Sequence, residues 1–209
     1  LLNAAGEGEL TTFEGLRNTV ERLAADDRAK TSTLRFFSEF LSLERLDALE
    51  KERTLFPLMS DALGASMRRE IEAMLEQVVL IDEADIRSLL TTRKTTVNAE
   101  LAALYQLPGV AQWTAIEFPD RWPRAGLLTT AGFLAMNAHN TLSSPTHRGK
   151  YIQNKILCFD VPAPPPGVVT SLELVDVEGP MTARQKLERH RADPSCAGCH
   201  VFMDPLGLA

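Results

Sequence analysis

The sequence has no apolar run as long as a membrane span, so no helix of this segment is expected to cross a bilayer. It has no excess of positive charge either: 22 Lys and Arg stand against 28 Asp and Glu, for a formal net charge of -6. That argues against a nucleic-acid partner, which would favour a basic face. Three cysteines are too few, and odd in number, for a disulfide-stapled scaffold. No secretory signal opens the chain, which starts in polar sequence at "LLNAAGEGEL". The expectation from that start is a mature product or a fragment of something longer, silent about compartment. No internal repeat is visible. What is present is an ordinary globular balance, 44% hydrophobic and 24% charged, enough for one domain with a small appendage.

The first two-thirds of the chain carry helical periodicity. Phe13, Leu16, Val20 and Leu23 fall at helical spacing, as do Leu34, Phe37, Phe40 and Leu41, with Asp27 as a candidate cap. The clearest stripe is Met67, Ile71, Met74, Leu75, Val78 and Val79, with charge on the other side. "TTVNAELAALYQ" predicts a shorter helix ended by Pro108-Gly109, and "WTAIEFP" a single strand or an extended loop. Helices are expected over about 125–139 and 146–158, the second opened by Ser144 and Pro145. "VPAPPPGV" favours a stiff extended strap, and "VVTSLELVDV" continues extended. Thr182 with Gln185 three residues on forms a capping box for a short helix. The expected fold is mainly α. A helical body spans 1–160, a Pro-rich strap 161–168, and a C-terminal segment, 169–209, packs on the body.

That segment holds "CAGCH", Cys196 to His200. Cys-x-x-Cys-His is the attachment signature of haem c. Two thiols at this spacing reach the two vinyl groups on one porphyrin edge. The adjacent histidine then swings under the ring to give a nitrogen to iron. A lone disulfide or dithiol and a zinc site are the alternatives. Structural zinc wants four Cys or His ligands from paired clusters, and only one pair stands here. A thioredoxin-like pair needs a strand before it and a helix after it. The motif lies close to the end of the chain. So short a segment cannot enclose a haem alone, and the helical body or further sequence must supply the other wall.

"GLLTTAGFLAMNAHNTLSSPTHRGKYIQNKILC", "VPAPPPGV" and "RQKLERHRADPSCAGCHVFMDPLGLA" together resemble the uncharacterised multidomain c-type cytochrome proteins abundant in planctomycetes and myxobacteria. Ser144-Pro145, Arg148-Gly149, His190 and Met203-Asp204-Pro205-Leu206-Gly207 follow that pattern in order, and the region from Leu34 to Tyr105 follows it more loosely. The resemblance implies a mainly helical fold, export to the periplasm or beyond, and continuation into further domains. No biochemical role is established for those proteins.

The resulting expectation is one covalent haem c per chain, on Cys196 and Cys199, with His200 as the proximal ligand. Met203 lies too near His200 to round the haem edge and is expected to pack beneath it. His190 and Arg148 are candidates for a propionate, as are Arg184, Lys186, Arg189 and Arg191, unless these simply form a solvated face. For the sixth position His139 is the first choice, sharing a helix face with Met136, and His147 the second. Asp204-Pro205-Leu206-Gly207 is expected to make a tight turn. Trp113, Trp122 and Cys158 are read as packing residues. No carboxylate–histidine or Ser–His constellation suggesting hydrolysis is evident. Three functions stay open: an electron-transfer module of a larger exported protein, a haem-dependent oxidoreductase activating oxygen or peroxide, and a haem-stapled structural or binding module. A redox partner, or further domains of the same parent chain, would exchange the electrons. The preferred reading is electron transfer; whether the chain is an enzyme is left undecided.

Overall fold

The strongest apolar stripe in the sequence becomes the axis of the fold. Helix α4 (Leu63–Leu75) buries Met67, Ile71, Met74 and Leu75 and continues through a π-helical turn, Glu76–Ile81, that buries Val78. The structure, a computed structural model, describes residues 1–164, 166, 181–192 and 194–208. Before α4 come α1 (Leu2–Gly6), α2 (Phe13–Ala24) and α3 (Asp27–Phe40). After it come strand β1 (Lys94–Val97), α5 (Ala99–Leu104) and β2 (Thr114–Glu117). Then follow α6 (Ala131–Met136), α7 (Pro145–Tyr151), α8 (Ala183–His190) and α9 (Pro194–Leu208). The fold is mainly α, as the periodicity predicts. No helix among the described residues is long and apolar enough to cross a membrane.

Several local expectations need correction. The stripe of α2 forms a helix but is not buried: Phe13 is 84% exposed, and Leu16 and Val20 also face solvent, while Thr19 is the buried residue. Asp26 rather than Asp27 caps α3, accepting from the Arg28 amide. "TTV" in "TTVNAELAALYQ" is strand: β1 pairs antiparallel with β2, Thr95 opposite Ile116 and Val97 opposite Thr114. Asn98 then caps α5 by accepting from the Leu101 amide, and α5 stops at Leu104, with Gln106 in the left-handed region at φ 57°. α6 ends at Met136, because Asn137 turns its side-chain amide back onto the Phe133 carbonyl. Cys158 is exposed, at φ 54°, rather than buried as a packing residue. The Ser144 cap with Pro145 in the first turn and the Thr182–Gln185 capping box form as their sequences predict. The later strap residues, Pro165, Gly167 and Val168, and the run through Val177 lie outside the described residues.

One core joins the early and late parts of the chain. Ile71, Met67 and Leu46 pack against Gly132 in α6, so closely that a Cβ there would press on all three. The Arg45 guanidinium donates to the Met136 carbonyl and, at 3.3 Å, to Asn137 Oδ1. The Tyr151 hydroxyl donates to the Leu41 carbonyl at 2.8 Å. Trp113 and Trp122 pack partly buried against this core; Trp113 carries Arg69 over its ring, and Trp122 stacks on Phe118.

Inside the core stands an ionisable group that the sequence pattern hid. Glu70 is fully buried on α4; both of its oxygens accept from the Tyr105 hydroxyl, at 2.9 and 2.8 Å, and one accepts from Thr95 Oγ1 at 2.8 Å. Tyr105 in turn accepts from the Ala131 amide at 2.7 Å, which ties α4, α5, β1 and α6 together. Burial pushes the Glu70 carboxyl up to about 7, although Tyr105 and Thr95 oppose the shift. The folded state therefore binds a proton that the unfolded chain, with an ordinary carboxyl, releases. Stability from this site is full below about pH 4.5 and declines as pH rises towards 7, by on the order of 3 kcal/mol. Urea unfolding of the wild type between pH 4.5 and 7.5 should show this decline, and Glu70→Gln should flatten the difference. Parallel pH curves for the two proteins would contradict it.

Candidate functional site

The motif lies on α9, and helical geometry places its three groups together. Cys196, Cys199 and His200 are three and four residues apart and share one face. α8 leads into this helix, with Leu187 fully buried and its first turn closed by the capping box. Pro194 opens α9, where a missing N–H costs nothing. Both motif cysteines are partly exposed. The His190 ring meets the His200 ring edge-on, with centroids 4.8 Å apart.

The expected tight turn at Asp204–Gly207 is absent, because α9 runs through it to Leu208. Pro205 has no N–H for the Val201 carbonyl, a defect that would cost an isolated helix about 3 kcal/mol. Packing overrides it. Met203, Asp204 and Gly207 are buried against α7. The two backbones approach so closely that a Cβ on Gly149 would collide with the Met203 carbonyl, and one on Gly207 with the Pro145 carbonyl. Arg148 does not extend freely from α7. Its guanidinium donates twice to the Gly207 carbonyl, at 3.0 and 2.7 Å, and once to Ser143 Oγ at 3.1 Å. Burial lowers its pKa from the ordinary arginine value. Gln153 Nε2 donates to the Phe202 carbonyl at 2.8 Å.

A carboxylate–histidine pair, which the sequence reading missed, sits at the centre. His200 Nδ1 lies 3.2 and 3.1 Å from the two Asp204 oxygens. Asp204 is fully buried, while the His200 side chain remains 17% exposed. Thr146 Oγ1, from α7, donates to Asp204 Oδ1 at 2.9 Å, and Arg191 Nε stands 3.7 Å from Oδ2. The signal was legible: His-x-x-x-Asp is an i, i+4 pair once the segment is helical. The expected turn at Asp204 concealed it.

The donor set suits covalent haem. Two thiols and an imidazole share a face at attachment spacing, and Asp204 occupies Nδ1, so Nε2 is the nitrogen His200 has to offer. Met203 is buried one turn beyond the motif, its backbone against Gly149. Among the described residues, no group of three or more His, Cys, Asp or Glu side chains is arranged to hold a metal ion by itself.

The two histidines considered for the sixth position meet each other. The rings of His139 and His147 have centroids 4.5 Å apart. His139 lies in the loop beyond α6, so it does not share a helix face with Met136, which belongs to the core. His147 follows Thr146 in α7, and burial, with the charge of His139 next, lowers its pKa. Of the basic residues before the motif, Arg191 faces Asp204 and Arg184 approaches the Leu208 carbonyl at 3.5 Å.

A family model described as "PSD4: Protein of unknown function (DUF1592)" matches residues 1–107, and one described as "PSCyt3: Protein of unknown function (DUF1588)" matches residues 124–209. No curated protein and no solved structure matches the chain.

Gly149→Ala and Gly207→Ala should each weaken the docking of α9 on α7, at a cost of about 1–3 kcal/mol. Limited proteolysis should then cut within residues 194–208 faster than in the wild type, and unchanged cutting would contradict the close crossing.

Proposed function

The chain belongs to the PSD4 family, described as a protein of unknown function, and on that premise we propose that its α9 carries one covalent haem c and that the chain is an electron-transfer module of a larger exported protein. One observation carries the reading: Cys196, Cys199 and His200 share a face of α9, with His200 Nδ1 already engaged. The PSCyt3 match over residues 124–209, a cytochrome-associated name, supports it from outside the structure. When bound, haem would supply one-electron chemistry at its iron.

The chain's own groups have defined tasks. Cys196 and Cys199 would hold the haem through thioether bonds, one to each vinyl group. His200 offers Nε2 to the metal. Met203 is buried one turn beyond His200 and would form apolar packing near the motif, and His190 packs against the His200 ring. Arg184, Lys186 and Arg189 set positive charge near an otherwise acidic chain, a suitable docking surface for an acidic redox partner or a neighbouring domain. Export follows from the compartment in which c-type haem is attached.

The buried Asp204 favours a second reading, oxygen or peroxide activation, because its carboxylate beside His200 Nδ1 would make that imidazole a stronger donor to a bound metal. Coordination decides between them. A sixth ligand from His139, or from His147 beside it, closes the iron and favours electron transfer; an open position favours the oxidoreductase.

Expressed with a working haem-attachment system, the exported chain should gain the mass of one haem and keep a c-type spectrum after denaturation. Cys196→Ala with Cys199→Ala should abolish covalent retention. An unmodified wild-type mass would overturn the proposal. His139→Ala should convert low-spin iron to high-spin and open it to carbon monoxide; a wild type already high-spin would move the assignment to the oxidoreductase.

A further inference from the structure

We propose that Asp204 is the positioning residue for His200: its carboxylate holds the Nδ1–H, turns Nε2 towards the iron, and strengthens the imidazole as an electron donor. The inference rests on the haem reading above and adds to it which residue sets the potential of the site.

Four observations converge on this role. The pair is built into one helix, i to i+4, so the ring orientation is fixed by the same turn that places the cysteines. Both carboxylate oxygens stand within hydrogen-bond distance of Nδ1, at 3.2 and 3.1 Å. An ionised carboxylate only accepts, so the hydrogen belongs to Nδ1 and the lone pair to Nε2. Finally, Asp204 is itself held, by Thr146 at 2.9 Å from α7 and by Arg191 at 3.7 Å, and it is wholly removed from solvent.

Burial is what makes the pair more than a clamp. Taking a carboxylate out of water costs several kcal/mol unless its lone pairs are satisfied. A clamp between α9 and α7 needs only an acceptor for Thr146, which a neutral amide would supply without that cost. The charge acts on the histidine. A carboxylate on the outer nitrogen of a metal-bound imidazole raises its basicity, and the more basic ligand stabilises the oxidised iron. Thr146 opposes this, because its hydroxyl draws on the same carboxylate. Asp204 and Thr146 thus pull the potential in opposite directions, which a purely structural role does not do.

The test is potentiometric titration of the haem-loaded full chain, following the ferric and ferrous spectra. Asp204→Asn should favour the reduced form, lowering the ferric-to-ferrous ratio about tenfold at the wild-type midpoint, which is about 59 mV for one electron. Thr146→Val should move the ratio the other way, since a carboxylate freed of its second donor pulls harder on Nδ1–H. A loaded Asp204→Asn protein whose ratio stays within twofold of wild type would overturn the inference while leaving haem attachment intact. Should Asp204→Asn fail to fold, Thr146→Val decides alone: a shift towards ferric supports the role and no shift overturns it. Loss of covalent haem from the wild type itself, read from the denatured spectrum, would instead bring down the haem reading and this inference with it.

Discussion

Everything at the C-terminal site depends on one close contact, the crossing of α9 over α7 at Gly149 and Gly207. The backbones approach to this distance because Gly149 presents no Cβ to the Met203 carbonyl and Gly207 none to the Pro145 carbonyl. The approach brings Thr146 within reach of Asp204 and lets Arg148 close the end of α9 on the Gly207 carbonyl. It also keeps a proline-containing helix intact. If α9 broke at Pro205, Asp204 would leave His200, and the face shared by the two cysteines and the histidine would lose its support.

α7 is in turn fixed to the body. Its Tyr151 reaches the Leu41 carbonyl, and α6, just before it, lies across α4 at Gly132. The two family models, matched over residues 1–107 and 124–209, therefore meet inside one core rather than at a linker. Tyr105, from the first region, donates to Glu70 and accepts from the Ala131 amide of the second. The arrangement is continuous from α4 through α6 and α7 to the helix that bears the motif.

The parts legible in the sequence were those with strong local signals. The stripe of α4, the Ser144–Pro145 start and the Thr182–Gln185 box need only neighbours in the chain, and each formed as read. The larger misreadings share a cause: partners distant in sequence decided the outcome. Thr95 to Val97 are strand because β2, beyond α5, pairs with them. Met203 to Gly207 are helix because α7 lies against them, although Asp-Pro and Gly locally favour a turn. That one error concealed the His200–Asp204 pair, the most informative contact of the site. The amphipathic pattern of α2 was real, but its apolar face has no cover among the described residues. The Cys-x-x-Cys-His spacing itself was visible without the structure.

The shared core also has a consequence for synthesis. The apolar face of α4 is translated early, yet Gly132, Phe133 and Tyr151, which complete its surroundings, come some 60 to 80 residues later. Contacts so distant along the chain must wait for the entropy of loop closure. A chain arrested near residue 107 holds all the residues that match the PSD4 model but leaves Leu46, Met67 and Ile71 without their cover, a sticky intermediate rather than a finished domain. α9 has its dock only after α7 has settled on this core. In such a chain Cys196 and Cys199 arrive after the body able to receive them.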